Sequence, residues 1–513
     1  MKTKIILITI FLISFFIRIY NVQYPSLLWD EASLGYNAYS ILKTGQDEYG
    51  KNFPLILKSF GDYKPGIYAY LAIPFISIFG LNELSVRLPS IILGSLIPIF
   101  LYLLIVSFDS KKRNLALIVA LITAFNPYNI HYSRGAWETN ILTFQLVLAS
   151  YFFIKKKYLP SALVFGLSLY TYQGAKTASL LVLLILLFLQ YKNPLNLFKK
   201  DFKTLTLRFF IPLFILTIPL LVGLLNSNDS NRLKVLSIFS YPRQTQETNI
   251  FQNDFTFYLK NISHRYFNHF SPEFLFTKGD WQNPRHSAPY TGVLLLPSVI
   301  FITIGLFKSS YKKKLNLFFL LILLFAPLSA SFTRDSIQAT RSMWMSLGLV
   351  YFTGVGITIF LKKFNSLLIY SLLIVIYLLS FIYYSDLYLN HMVKTNSADW
   401  LSGYKESITY LNTKKSQYEN FVVSDFYGQP YIFYLFYSKY PPQDYQKQAN
   451  LISESVDTGK ITQIDNIKFK SPDFNQIEKQ KNTLAIFSFD EVVRQNLDFN
   501  LFKKFGNFYI YEN

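Results

Sequence analysis

Apolar residues run along this chain in long blocks separated by short basic segments. Blocks near residues 4–20, 87–108, 114–130, 138–154, 158–173, 177–191, 207–225, 290–307, 315–331, 341–361 and 366–385 each approach the length a helix needs to cross roughly 30 Å of hydrocarbon. They predict about eleven transmembrane helices. One further block, Ile67–Phe79, contains Pro74 and as a helix would reach only ~20 Å. After about residue 386 the pattern changes. Strand-like runs at Phe421–Ser424, Thr483–Phe489 and Phe508–Tyr511 then alternate with helical stretches such as Tyr431–Tyr437. The expected organisation is a polytopic α-helical membrane domain over 1–385, with a small α/β domain over 386–513.

Charge orients these helices and decides the short block. If Ile67–Phe79 lies along the surface, the clusters Lys111-Lys112-Arg113, Lys155-Lys156-Lys157, Lys192–Lys203, Lys308–Lys314 and Lys362-Lys363 all fall on the side of Lys2 and Lys4. That side is the cytoplasm, because basic loops stay inside. If the block spans, every cluster moves outside, so it is assigned as an interfacial helix. The amino terminus is then cytoplasmic. The loop 21–86, the turns at Asn126–Thr139 and Tyr172–Lys176, the loop 226–289 and the carboxyl-terminal domain are extracytoplasmic. The expected location is the plasma membrane.

Composition agrees with this picture. The 513-residue chain is 51% hydrophobic and 18% aromatic, too apolar for an ordinary soluble enzyme of its size. Its net charge of +20 sits in loops where it sets orientation, which argues against a nucleic-acid partner. There is no cysteine, so disulfides, thiolate nucleophiles and cysteine-ligated metals are excluded. Ile5–Ile19 starts like a signal peptide but lacks a small-residue cleavage site, and is expected to be a retained span.

The candidate chemistry collects on the expected outer face. Asp30 and Glu31, the first acidic residues of the chain, stand where the first span emerges, a costly place for adjacent carboxylates unless they face a wet cavity. Asp30 is the candidate catalytic base, with Glu31 in support; the competing reading is a helix N-cap for the stretch that Gly45 closes. Glu138 opens the span after Asn126–Thr139 and is a second candidate carboxylate, although the helix dipole alone would favour it there. Arg134 in the same turn, like Asp62, is a candidate for support of the site, while Arg134 and His131 read equally well as interfacial anchors. Lys64 precedes Pro65 at the start of the interfacial helix, where a cation is not placed for the dipole and a phosphate would suit it. An ion pair with Asp62 or a lipid headgroup contact is the alternative. Arg285, Arg334 and Arg341 on the outer face are candidate phosphate forks. His264, His269 and His286 share one loop, without the compact spacing of a metal site. The metal is unassigned, and a divalent cation at the carboxylates stays open as a cofactor.

Trp-Asp-Glu at 29–31, GDYKPGIYAYLAIPFISIFGLNELSVRLPS at 61–90, SRGAWETN at 133–140 and LYTYQGAK at 169–176 together resemble the GT-C membrane glycosyltransferases. The branch is that of the protein O-mannosyltransferases and the aminoarabinose transferase, the family 39 or dolichyl-phosphate-mannose-protein mannosyltransferase-like group. The likeness covers about residues 1–190. It implies a polyprenyl-phosphate-linked sugar donor, inversion at the anomeric centre, Asp30 as the essential acid of the first outer loop, Glu138 as the second acid and Lys64 on the lipid phosphate. The acceptor it implies is a lipid, a glycan or a protein. The family's Lys-Pro-Pro is Lys-Pro-Gly here, at 64–66, and no sugar-binding module like that of the eukaryotic O-mannosyltransferases is present, so protein hydroxyls are not assured as acceptor. The competing function is a transporter or flippase of lipid-linked saccharides, against which stands the scarcity of ionisable residues inside the spans. A non-catalytic scaffold gives no reason for acids and bases to converge on one face.

Overall fold

The computed structural model describes residues 2–191, 202–226, 235–241, 243, 248–250, 252–454 and 458–513. The basic segment Lys192–Lys203 lies almost wholly outside the described residues, as does part of the loop 226–289. In chain order the first elements are α1 (Lys2–Ile19), α2 (Trp29–Thr44), β1 (Ile56–Ser59), β2 (Asp62–Pro65), α3 (Ile67–Phe79), α4 (Glu83–Phe108), α5 (Arg113–Phe125), α6 (Pro127–Arg134), α7 (Glu138–Ile154), α8 (Tyr158–Ser168) and α9 (Ala175–Gln190). The chain packs into two compact units. One comprises Met1–Tyr20 with Ser90–Tyr388, the other Asn21–Pro89 with Leu389–Asn513.

The first unit is helical. Five helical stretches of the described chain are long and apolar enough to cross a membrane: Glu83–Phe108, Phe202–Val222, Lys314–Ser331, Ala339–Lys363 and Leu367–Thr395. A sixth is reached if residues 110–125 and 127–134, bent by 52°, form one span. The expected count of about eleven is not met by this measure, because several apolar blocks fold into shorter helices. Block 158–173 is helical only to Ser168, and block 290–307 only from Ser298. The start of the latter is held in bent, non-helical backbone instead: Val293 N–H donates to Phe274 O (3.2 Å) and Leu294 N–H to Leu275 O (2.9 Å), with Pro297 just before the helix. Apolar composition alone does not separate such a segment from a helix. Glycine brings the helices Ser298–Lys308 and Ser346–Lys363 backbone to backbone. A Cβ on Gly305 would fall 1.9 Å from Phe352 O, and one on Gly356 1.8 Å from Phe301 O, the small-residue contact expected between membrane helices.

The second unit is built on a six-stranded mixed sheet in the order Gln463–Ile464, Ile467–Phe469, Asn420–Val423, Thr483–Ser488, Phe508–Glu512, Lys503–Phe505. Asn420–Val423 pairs in parallel with both of its neighbours; the remaining pairs are antiparallel. The three strands expected from the sequence are present, and the expected helical stretch is the helix Pro430–Tyr437. α2 packs against that helix, where a Cβ on Gly35 would meet the Phe436 ring at 2.7 Å. Trp29 Nε1 donates to the carbonyls of Tyr427 (3.1 Å) and Gly428 (2.9 Å), and Tyr36 Oη to that of Tyr440 (3.1 Å), so the tail holds α2 at its first residue and at its middle.

α3 forms over the residues expected of the interfacial helix, but Pro65 is not its first residue. Pro65 ends β2, and Gly66 caps the helix. β1 and β2 make a hairpin in which Phe60 and Gly61, at φ 54° and 93°, form the turn. Two positive φ values in a two-residue loop match the twist of the flanking strands.

Candidate functional site

α2 carries the carboxylate pair in its first turn. Its N-cap is Leu28, so Asp30 is not the cap. The capping work falls to Glu31, which accepts from Leu28 N–H at 3.1 Å, and Gly45 closes the helix in the left-handed region at φ 72°. Glu31 is committed further: Arg87 Nε donates to its Oε1 (2.8 Å) and Nη2 to its Oε2 (2.7 Å), a two-pronged pair with both side chains buried. Arg87 Nη1 also donates to the carbonyls of Val22 (2.7 Å) and Pro25 (2.9 Å). Glu31 and Arg87 together lock the loop that delivers Asp30, a structural task that satisfies the buried charges in full.

Asp30 itself points outward. Its side chain is 53% exposed and its Oδ1 accepts from the Lys64 ammonium, which is only 11% exposed. Lys64 reaches this place from β2, opposite Leu57 in the hairpin, and lies 5.1 Å from the centre of the Phe60 ring. The hairpin therefore sets a cation beside the acid 34 residues earlier in the chain. Asp62 begins the same strand, opposite Ser59. Behind α2, Glu48 is fully buried: Asn37 Nδ2 donates to its Oε1 (3.0 Å) and its N–H donates to Asn37 Oδ1 (3.1 Å). Burial pushes its carboxyl up to about 8, with the neighbouring Asp47 adding to the shift and Lys64 opposing it.

The remaining candidates belong to the helical unit. Glu138 opens α7 as its first residue after Trp137. Three loops that carry candidates are stitched together around a residue the sequence did not point to, Asp280. Its Oδ2 accepts from Ala339 N–H (2.9 Å) and lies 3.0 Å from His286 Nδ1; its Oδ1 accepts from Asn283 N–H (3.0 Å) and Nδ2 (3.2 Å). Burial opposes its ionisation, but the His286 ring and these donors outweigh it and hold the carboxyl below the usual range. Further bonds complete the knot. The Tyr132 and Thr340 hydroxyls meet at 2.9 Å, Thr139 Oγ1 donates to Thr340 O at 2.8 Å, and His131 Nε2 lies 2.8 Å from Arg285 O. The segments of Glu138, Arg285 and Arg341 are thereby fixed to one another. The sequence signal for Asp280 is slight, an acid six residues before His286 in the same loop.

The arginines divide by task. Arg134 is buried and donates to Ile17 O (2.8 Å) and Arg18 O (3.2 Å), holding the end of α1. Arg341 Nη1 donates to Thr333 Oγ1 (2.6 Å) and lies 3.4 Å from Asp335 Oδ2, whereas Arg334, half exposed, lies 3.6 Å from Asp335 Oδ1. His269 is engaged within the helical unit, its Nδ1 2.8 Å from Arg265 O and its Nε2 accepting from Gln338 N–H at 3.4 Å. Among the described residues no group of three His, Asp or Glu side chains is arranged to hold a metal ion.

The fold defined by these elements is shared with ArnT from Cupriavidus metallidurans. The chain superposes on ArnT from Cupriavidus metallidurans in the apo state with a TM-score of 0.57 at 13% identity, over 99% of this chain and 97% of that one. On the same protein bound to undecaprenyl phosphate the TM-score is 0.55 at 11% identity, with the same coverage. The oligosaccharyltransferase of Archaeoglobus fulgidus in its apo form gives 0.47 at 11% identity, over 84% of this chain and 63% of that one. The model of the dolichyl-phosphate-mannose-protein mannosyltransferase family matches residues 8–225, a stretch that includes Asp30, Lys64 and Glu138. The resemblance read from residues 1–190 is borne out by the family model over residues 8–225 together with the ArnT superposition. No curated protein sequence matches the chain.

Proposed function

We propose that this protein is a membrane glycosyltransferase that moves a monosaccharide from a polyprenyl-phosphate-linked donor to an acceptor hydroxyl or similar group at the extracytoplasmic face, with inversion. The observation that carries the reading is the Asp30–Lys64 pair, formed within the stretch matched by the mannosyltransferase family. An acceptor hydroxyl attacks poorly until a carboxylate takes its proton, and a sugar–phosphate bond breaks more readily when a cation meets the charge left on the phosphate. Asp30 is exposed enough to meet the acceptor, and Lys64 is the cation for the phosphate. Within the helical unit Glu138 is the proposed second acid and one of Arg285, Arg334 or Arg341 a further cation for phosphate. The lipid tail of the donor stays in the bilayer while its phosphate reaches the polar face.

The test is transfer by purified protein in detergent or vesicles supplied with a panel of polyprenyl-phosphate sugars, followed through released polyprenyl phosphate. Transfer by the wild type that is lost in both Asp30→Asn and Lys64→Gln is the expected result. Transfer that survives both substitutions would refute the assignment of the site.

A further inference from the structure

The residue assigned to take the proton and the residue assigned to meet the phosphate are bonded to each other in this structure. We infer that Lys64 is shared between Asp30 and the donor phosphate, so that arrival of the phosphate releases Asp30 to act as base. This rests on the proposed transfer reaction and specifies how its site is regulated.

The geometry supports a hand-over. The backbone of Lys64 is fixed in the β1–β2 hairpin and its ammonium lies 5.1 Å from the centre of the Phe60 ring, while its flexible four-carbon stem lets the ammonium move between neighbouring anions. Asp30 stands in the first turn of α2, half in solvent, where an ion pair is weak enough to exchange. Glu31 cannot take the place of Asp30 on Lys64, because both of its oxygens are engaged by Arg87. Glu48 lies close enough to feel Lys64, but burial keeps it protonated up to a pH of about 8, so it does not compete for the ammonium as a carboxylate at neutral pH.

Charge then drives the exchange through the reaction. The donor is a phosphodiester with one negative charge, comparable to the carboxylate. As the acceptor oxygen bonds to the anomeric carbon, the bond from that carbon to the phosphate oxygen breaks and its electron pair leaves with the phosphate. The acceptor proton passes to Asp30, and Lys64 stays protonated throughout. The leaving polyprenyl phosphate gains a second negative charge while Asp30 loses its own, so both changes pull Lys64 from the acid to the phosphate. Before the donor is bound, Asp30 is held by Lys64 and is a poor base, which makes donor-first binding the productive order.

The experiment reads binding, separately from turnover. Affinity for undecaprenyl phosphate in detergent micelles is measured for wild type, Asp30→Asn, Lys64→Gln and the double variant, each checked by thermal unfolding. Asp30→Ser stands in if the Asn variant does not fold. Competition for one ammonium predicts that Asp30→Asn binds about two- to five-fold tighter than wild type, the range for releasing a solvent-exposed pair, and that the gain vanishes in the Lys64→Gln background. Unchanged or weaker binding by Asp30→Asn overturns the hand-over. So does an equal gain in the Lys64→Gln background, which would show simple repulsion between Asp30 and phosphate. Wild-type affinity in Lys64→Gln would overturn both the hand-over and the assignment of Lys64 to the phosphate, whereas the Asp30 results bear on the hand-over alone.

Discussion

Glu48 offers a measurement that isolates one buried group. Its carboxyl is raised from 4.5 to about 8, chiefly by burial, so the folded chain holds a proton there that the unfolded chain gives up. The sign follows from proton counts. Between 4.5 and about 8 the folded state binds one more proton than the unfolded state, so stability is fully present below 4.5 and is lost as pH rises towards 8. At roughly 1.4 kcal/mol per unit the loss across that interval is on the order of 4 to 5 kcal/mol, levelling off above it. Glu48→Gln copies the protonated acid: its amide oxygen can accept from Asn37 Nδ2 as Oε1 does, and it has no charge to gain. The assay is thermal unfolding of wild type and variant in detergent at intervals from pH 5 to pH 9, taking the difference at each pH so that other titrations cancel. The stability of the variant relative to wild type should be lowest near pH 5 and rise steadily up to pH 8. A difference that does not change with pH would refute the reasoning, because it would mean that Glu48 titrates alike in both states.

Four further outcomes are expected. Asp30→Asn should lower sugar transfer by about 10²- to 10⁴-fold with unchanged thermal stability, since the amide cannot take a proton; near-normal turnover would move the search for the base to Glu138. Arg87→Met leaves Glu31 charged and buried without its partner and should destabilise the protein by about 3 to 5 kcal/mol in chemical unfolding. Asp280→Ala leaves Ala339 N–H and Asn283 N–H without their acceptor, and should cost about 1 to 3 kcal/mol, with transfer falling as the segments of Glu138, Arg285 and Arg341 loosen. Reporter fusions at Lys156 and near Tyr404 should report opposite sides of the membrane; the same side for both would overturn the proposed orientation.

What the sequence determined by itself was local. The strands and helix of the tail and the closing of α2 by Gly45 rest on patterns confined to a few neighbouring residues, and all are present. Asp30 and Lys64 could be picked out as chemical groups, because an acid at a helix exit and a lysine before Pro-Gly are unusual in any fold. Their pairing could not, because it depends on the Phe60-Gly61 turn reversing the chain, and that stretch read equally well as the lead into a helix. Glu31 and Arg134 show the same limit from the other side. Both looked available for chemistry, and tertiary structure spends them on Arg87 and on the end of α1. Asp280 is the converse case, an ordinary loop acid until Ala339, 59 residues away, and His286 are brought to it. Where an apolar block becomes helix was likewise decided by folding, since apolarity records that a segment avoids water and says nothing of whether it avoids it as a helix or as the bent backbone at Val293-Leu294. A side chain's type is written in the chain, but its partner is chosen by contacts between distant segments, and the partner decides whether a carboxylate holds the fold together or is left to react.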